Sequence, residues 1–95
     1  MSACEKIPLP MRVVWASDIE WGVTVDAYLM DAARVGNRYA ALVYRDLSGV
    51  SCDGMTVVTP EVRTVSERGG YTLVRSLCGE DHYVVVSELP EGSVA

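Results

Sequence analysis

Phenylalanine is absent from these 95 residues, and histidine and lysine each occur once. Without Phe, a core must be filled by Val, Leu, five tyrosines and two tryptophans. With His82 the sole imidazole, any histidine-dependent catalysis or metal ligation runs through that one position. The three cysteines, Cys4, Cys52 and Cys78, are widely spaced with no C-x-x-C pair, which speaks against a disulfide framework and against a paired-ligand zinc site. Reduced thiols in a cytoplasmic protein are the expectation. No apolar run approaches the length of a membrane span, and Pro8 and Pro10 break the stretch where a signal-peptide core would lie, so no membrane association is expected. Positive charge is also short: 8 basic residues face 13 acidic ones, for a net charge of −5 and a pI near 4.6. Direct nucleic-acid binding over a broad surface is therefore disfavoured, because it needs a basic footprint.

What the chain does hold is strand-forming sequence. The apolar fraction of 49% is ordinary for a globular domain. The length predicts one domain over residues 11–89, with a lead-in over 1–10 and a tail over 90–95. Its clearest part runs from Val62 to Leu89, where three segments rich in β-branched and aromatic residues are separated by glycine-containing turns at Gly69-Gly70 and Gly79. They predict an antiparallel meander. Val84, Val85 and Val86 are consecutive, as are Leu73 and Val74, so these strands should be covered on both faces. Cover could come from a helix, from the N-terminal strands, from closure into a barrel, or from a second copy in a homodimer.

Upstream, Met11 to Ala16 reads as a strand. Ser17 to Asn37 fits two templates. Trp21, Val23, Val25, Ala27 and Leu29 alternate as a strand does, whereas Ser17-Asp18-Ile19-Glu20 has capping-box spacing and Gly36 sits where a helix would stop. Splitting the segment reconciles them: a strand over Ile19 to Val25, then a short helix over Ala27 to Val35, capped by Asp26 and buried along Tyr28, Leu29, Ala32 and Val35. Arg38 to Asp46 and Met55 to Thr59 read as strands, with a polar, turn-rich loop over Leu47 to Gly54 between them. The expected fold is α+β: a mainly antiparallel sheet of five to six strands with a C-terminal three-stranded meander and one short helix. An all-β small barrel is the alternative.

No constellation of reactive groups stands out. Cys78 and His82 flank one turn and could pair a thiolate with its base, or join Cys4 and Cys52 around zinc, but the only nearby candidates for a third orienting group, Glu80 and Asp81, more simply polarise the turn. Glu80-Asp81 and Asp18/Glu20 are close carboxylates of the kind that solvate turns. Gly69-Gly70 lacks the lysine and following helix of a phosphate-binding loop. Arg63, Tyr71, Arg75 and Tyr83 lie on neighbouring strands, as in single-strand nucleic-acid platforms, but interspersed glutamates favour cross-strand salt pairing instead.

The expectation is thus a non-enzymatic, cofactor-free acidic module that acts by occupying a partner's surface. A sharper version is a phage-type or mobile-element inhibitor that places carboxylates where a nucleic-acid-binding host protein receives phosphates. Its partner-binding candidates are Trp21, Met30, Asp46, Asp53, Glu80 and Asp81. Trp is a frequent interface anchor, and Met30 falls opposite Leu29 and Ala32 on the expected helix. Asp46 and Asp53 bracket the polar loop, and Glu80 and Asp81 sit in the last turn of the meander. The alternatives are a single-stranded nucleic-acid-binding module using the Arg/Tyr face and a Cys/His-dependent enzyme.

Overall fold

The structure, a computed structural model, describes residues 8–89. The expected tail and most of the expected lead-in lie outside the described residues. Helix α1 (Met11–Ser17) is followed by six strands: β1 (Ala27–Val35), β2 (Arg38–Tyr44), β3 (Thr56–Val58), β4 (Val62–Arg68), β5 (Tyr71–Ser76) and β6 (His82–Val85). They form one sheet in the order β3-β2-β1-β6-β5-β4. Every pairing is antiparallel except that of β1 with β6. No helix among the described residues is long and apolar enough to cross a membrane.

The meander forms as the sequence predicts, with Gly69 and Gly70 both at positive φ in the β4–β5 turn, the backbone that a tight hairpin demands. Both faces of its inner strands are covered. Val85 and Val74 join one buried cluster, together with Leu29, Val43 and Val62. Val84, Val86 and Leu73 join a second, with Val13, Ala16, Trp21, Tyr28 and Tyr44. The second cluster is roofed by α1 and by the segment that follows it.

The first cluster is enclosed by the sheet itself. The chain leaves β3 at one edge and enters β4 at the other through Thr59, Pro60 and Glu61. Thr59 N–H donates to Tyr39 O at 2.9 Å, and Val62 N–H donates to Asn37 O at 2.8 Å. The start of β4 therefore touches the β1–β2 turn, and the sheet curls around its inner face without closing into a barrel.

Three local expectations are corrected. Met11 to Ala16 is helical, because Val13 and Ala16 are buried three residues apart while Met11, Arg12 and Trp15 stay exposed. Pro10, at the N-cap position, accepts from the Val13 and Val14 amides and costs the helix no donor. Ile19 to Val25 is not a strand but an irregular segment, although Ile19, Trp21 and Val25 still pack into the outer cluster. The expected helix over Ala27 to Val35 is instead the central strand β1.

The last correction has a specific cause. Met30 pairs with Leu42 and Ala33 with Ala40, so Asp31 and Ala32 together oppose Ala41 in a β-bulge. Asp31 takes a left-handed conformation (φ 53°), and its amide donates to Ser87 Oγ at 2.9 Å. The extra residue turns Leu29 and Ala32, three apart, toward the same inner cluster, and that spacing imitates a helical stripe. Gly36, at φ 61°, opens the two-residue turn of the β1–β2 hairpin and does not stop a helix.

Leu29 and Leu73 are the largest fully buried side chains, one on each face of the sheet. Leu29→Ala and Leu73→Ala are each expected to cost about 2–5 kcal/mol, with one cooperative thermal transition for both variants. Two separate transitions in calorimetry would show that the two clusters melt independently.

Candidate functional site

The curl leaves one end of the inner cluster open. There a cavity of about 290 Å³ is bounded by Leu29, Val43, Val57 and Val58, by the Asp46–Ser51 loop, and by Asp26, Asp81 and Tyr83. Its walls are apolar and its rim carries three carboxylates.

Each carboxylate arrives from a different part of the chain. Asp26 stands just before β1, where parallel pairing brings it beside β6. Its Oδ2 accepts from the His82 amide at 2.8 Å, its own amide donates to His82 O, and its carbonyl accepts from the Leu47 amide. Asp46 follows β2 and organises the loop after it: Oδ1 accepts from the Ser48 amide at 3.0 Å and the Ser48 hydroxyl at 2.7 Å, while Oδ2 accepts from the Ser51 amide at 2.9 Å. Asp81 closes the β5–β6 turn, with its amide donating to Ser76 Oγ at 3.1 Å.

Two titrating groups report the local field. Burial raises the Asp46 carboxyl, but the hydrogen bonds from Ser48 and Ser51 outweigh it and leave the net shift downward. Tyr83 is pushed up to about 12, first by burial and then by the negative charges of Asp81, Asp26, Asp46 and Cys78. At neutral pH the phenol is thus protonated, on a cavity that it shares with three carboxylates. No Lys or Arg among the described residues forms an ion pair with any of them. No group of three or more His, Cys, Asp or Glu among the described residues is arranged to hold a metal ion.

Of the six partner-binding candidates, the structure brings Asp46 and Asp81 to this cavity. Asp53 serves the loop backbone: its Oδ1 accepts from the Arg45 amide at 2.8 Å and holds Arg45 at φ 55°. The loop over Leu47 to Gly54 is therefore pinned at both ends by aspartates. Glu80 is exposed in the β5–β6 turn. Trp21 is only 8% exposed, and its indole N–H donates to Ala16 O at 3.2 Å, so it packs the core. Met30 is half-buried against the outer cluster, with its sulfur accepting from Ser87 Oγ at 3.7 Å. Sequence reasoning missed Asp26 and Tyr83 as members of this site. Asp26 meets His82 across 56 positions, and no local pattern announces that.

The other candidate chemistries are rearranged as well. The Cys78 thiol lies 3.2 Å from Ser76 Oγ, and no hydrogen bond joins it to the His82 ring among the described residues. Cys52 is disulfide-bonded and Cys78 is free, which corrects the expectation of a reduced thiol at Cys52. Cys4 lies outside the described residues. Tyr83 points into the inner cavity while Tyr71 packs against the outer cluster, so the two tyrosines share no stacking platform.

Two outcomes follow from the titrating groups. The Tyr83 phenol is raised in the folded state, so its contribution is complete below the ordinary tyrosine value of 10 and is lost as pH rises toward about 12. Tyr83→Phe should remove the latest component of the tyrosinate absorbance titration and flatten alkaline destabilisation over that window. For Asp46, whose folded value is depressed, the contribution holds above the unfolded value of 3.8 and fades as pH falls below it. Asp46→Ala should speed hydrogen exchange at the Ser48 and Ser51 amides about tenfold, the loss of one charge-assisted hydrogen bond.

Comparisons with protein-family models, with curated proteins and with solved structures give no match to this chain.

Proposed function

We propose that the protein is a small, non-catalytic interaction module whose docking surface is the carboxylate-rimmed mouth of the curled sheet. The observation that supports this best is the convergence of Asp26, Asp46 and Asp81, unpaired by any described cation, on a cavity with apolar walls. A carboxylate rim over an apolar slot suits a basic side chain, whose methylenes line the walls while its charge meets the rim. Exposed Val50 (82% exposed) and Val58 border the same mouth and extend the apolar contact. Interfaces gain from such a mixture of apolar centre and charged rim.

The partner that fits is a protein with a basic surface. Proteins that bind nucleic acid carry such surfaces to receive phosphates, and an acidic module seated there would act as an inhibitor, as phage-type and mobile-element inhibitors do. The charge of −5 favours fast encounter with such a partner.

Affinity capture from the native host, followed by binding measurements on the recovered protein, tests this reading. Asp81→Lys is expected to weaken binding about tenfold or more and to reduce its salt dependence. Glu67→Lys, on the far edge strand β4, should leave affinity within about twofold of wild type. Added nucleic acid should compete. Equal affinity for Asp81→Lys and wild type would overturn the proposed surface, and nucleic acid bound alongside the complex without competition would overturn the inhibitor version.

A further inference from the structure

The outer face of the sheet carries a second charged feature, of opposite sign. Cross-strand pairing with glutamates was the expectation for Arg63 and Arg75. Instead, Arg63 on β4 sits directly opposite Arg75 on β5, and Arg75 sits directly opposite His82 on β6. Directly opposed residues point to the same side of a sheet, with Cβ atoms about 5 Å apart. Val62, Val74 and Tyr83, their chain neighbours, all face the inner cluster, so this row faces outward. Arg63 is exposed, and Arg75 and His82 are half-buried.

Like charges directly opposite one another destabilise a sheet unless something neutralises them. Nothing described does so. Neither guanidinium donates a hydrogen bond to any described residue, and the Arg75 Nε–H is buried without an acceptor. The acids nearest in sequence, Glu61, Glu80 and Asp81, form no ion pair with either arginine among the described residues. At the far side of His82 the Asp26 carboxylate accepts from the His82 backbone amide and forms no ion pair with either arginine. Arg75 is also held in place: a side chain at Gly79 would begin 2.6 Å from its Nη2, so the glycine makes room for the guanidinium.

We propose that Arg63, Arg75 and His82 form an oxyanion site that takes a phosphate group. Two guanidiniums on adjacent strands can bracket a tetrahedral anion and serve three or more of its oxygens, with the imidazole as a third donor. A planar carboxylate offers two oxygens and leaves one guanidinium unserved. Chloride offers no fork geometry at all. The site lies on the opposite face of the sheet from the acidic mouth and is independent of the function proposed there.

Titration of the protein with inorganic phosphate, followed by amide and arginine Nε–H nuclear magnetic resonance, tests the proposal. Saturable shifts are expected at Arg63, Arg75, Gly79 and His82, absent with sodium chloride at matched ionic strength and weaker with acetate. Arg63→Gln, an exposed position that leaves the fold intact, should raise the apparent Kd about tenfold, the worth of one charge-assisted contact. Arg75→Lys should weaken binding similarly by removing the fork while keeping the charge. Arg68→Gln, which removes one arginine outside the row, should change the Kd less than about twofold. Shifts that do not saturate, that chloride reproduces, that acetate matches, or that Arg68→Gln reduces as much as Arg63→Gln would each overturn the site.

Discussion

The fold depends on one parallel contact. The first half of the chain makes the β1–β2–β3 ladder and the second half makes the meander, and they meet where β1 lies beside β6 in parallel register, from Ala27 opposite Tyr83 to Leu29 opposite Val85. Asp26 fixes the start of that contact through reciprocal bonds with His82. Asp31 and Ser87 fix its far end, where the bulge accommodates a last bridge between Ala32 and Glu88. Neither half encloses a core alone. The inner cluster draws Leu29 and Val43 from one and Val74 and Val85 from the other.

That contact also builds both candidate surfaces. It brings Asp26 and Asp81 together at the mouth of the curl, where Asp46 joins them from β2. It sets His82 in line with Arg75 and Arg63 on the reverse side. A sheet one residue pair thick thus separates a negative mouth from a positive row. Seven arginines against 13 acidic residues average to a modest negative charge, which conceals the segregation.

The C-terminal half was legible because its signals are local. The Gly69-Gly70 turn, the β-branched runs and the doubled apolar faces each dictate a strand without reference to the rest of the chain. The class of the fold and the cover on both faces follow from them. The N-terminal half was not legible in the same way. Ala27 to Val35 is made of good helix formers, and its bulge spaces Leu29 and Ala32 as a helix would. Tertiary pairing on both edges overrides that propensity. Gly36-Asn37 carried the correcting signal, since it is also a two-residue hairpin turn. Conversely, Met11 to Ser17 has β-branched neighbours but folds as a helix, because only Val13 and Ala16 meet the sheet. Of the candidate site, Asp46 and Asp81 could be singled out as turn acids. Asp26 and Tyr83 could not, because their proximity is created by pairing between strands distant in sequence.

The parallel junction also has a consequence for how the polypeptide reaches this state. Hairpins zip from their turns, whereas β1 must wait for a strand that is synthesised more than fifty positions later. Topology of this kind slows folding, since loop closure precedes any reward from the distant contact. During translation β1 stands as an open edge with its Tyr28 and Leu29 side chains uncovered, until β6 emerges and occupies it. The contact that joins the two halves is therefore also the one with the longest loop to close, and until it forms β1 carries the unpaired edge.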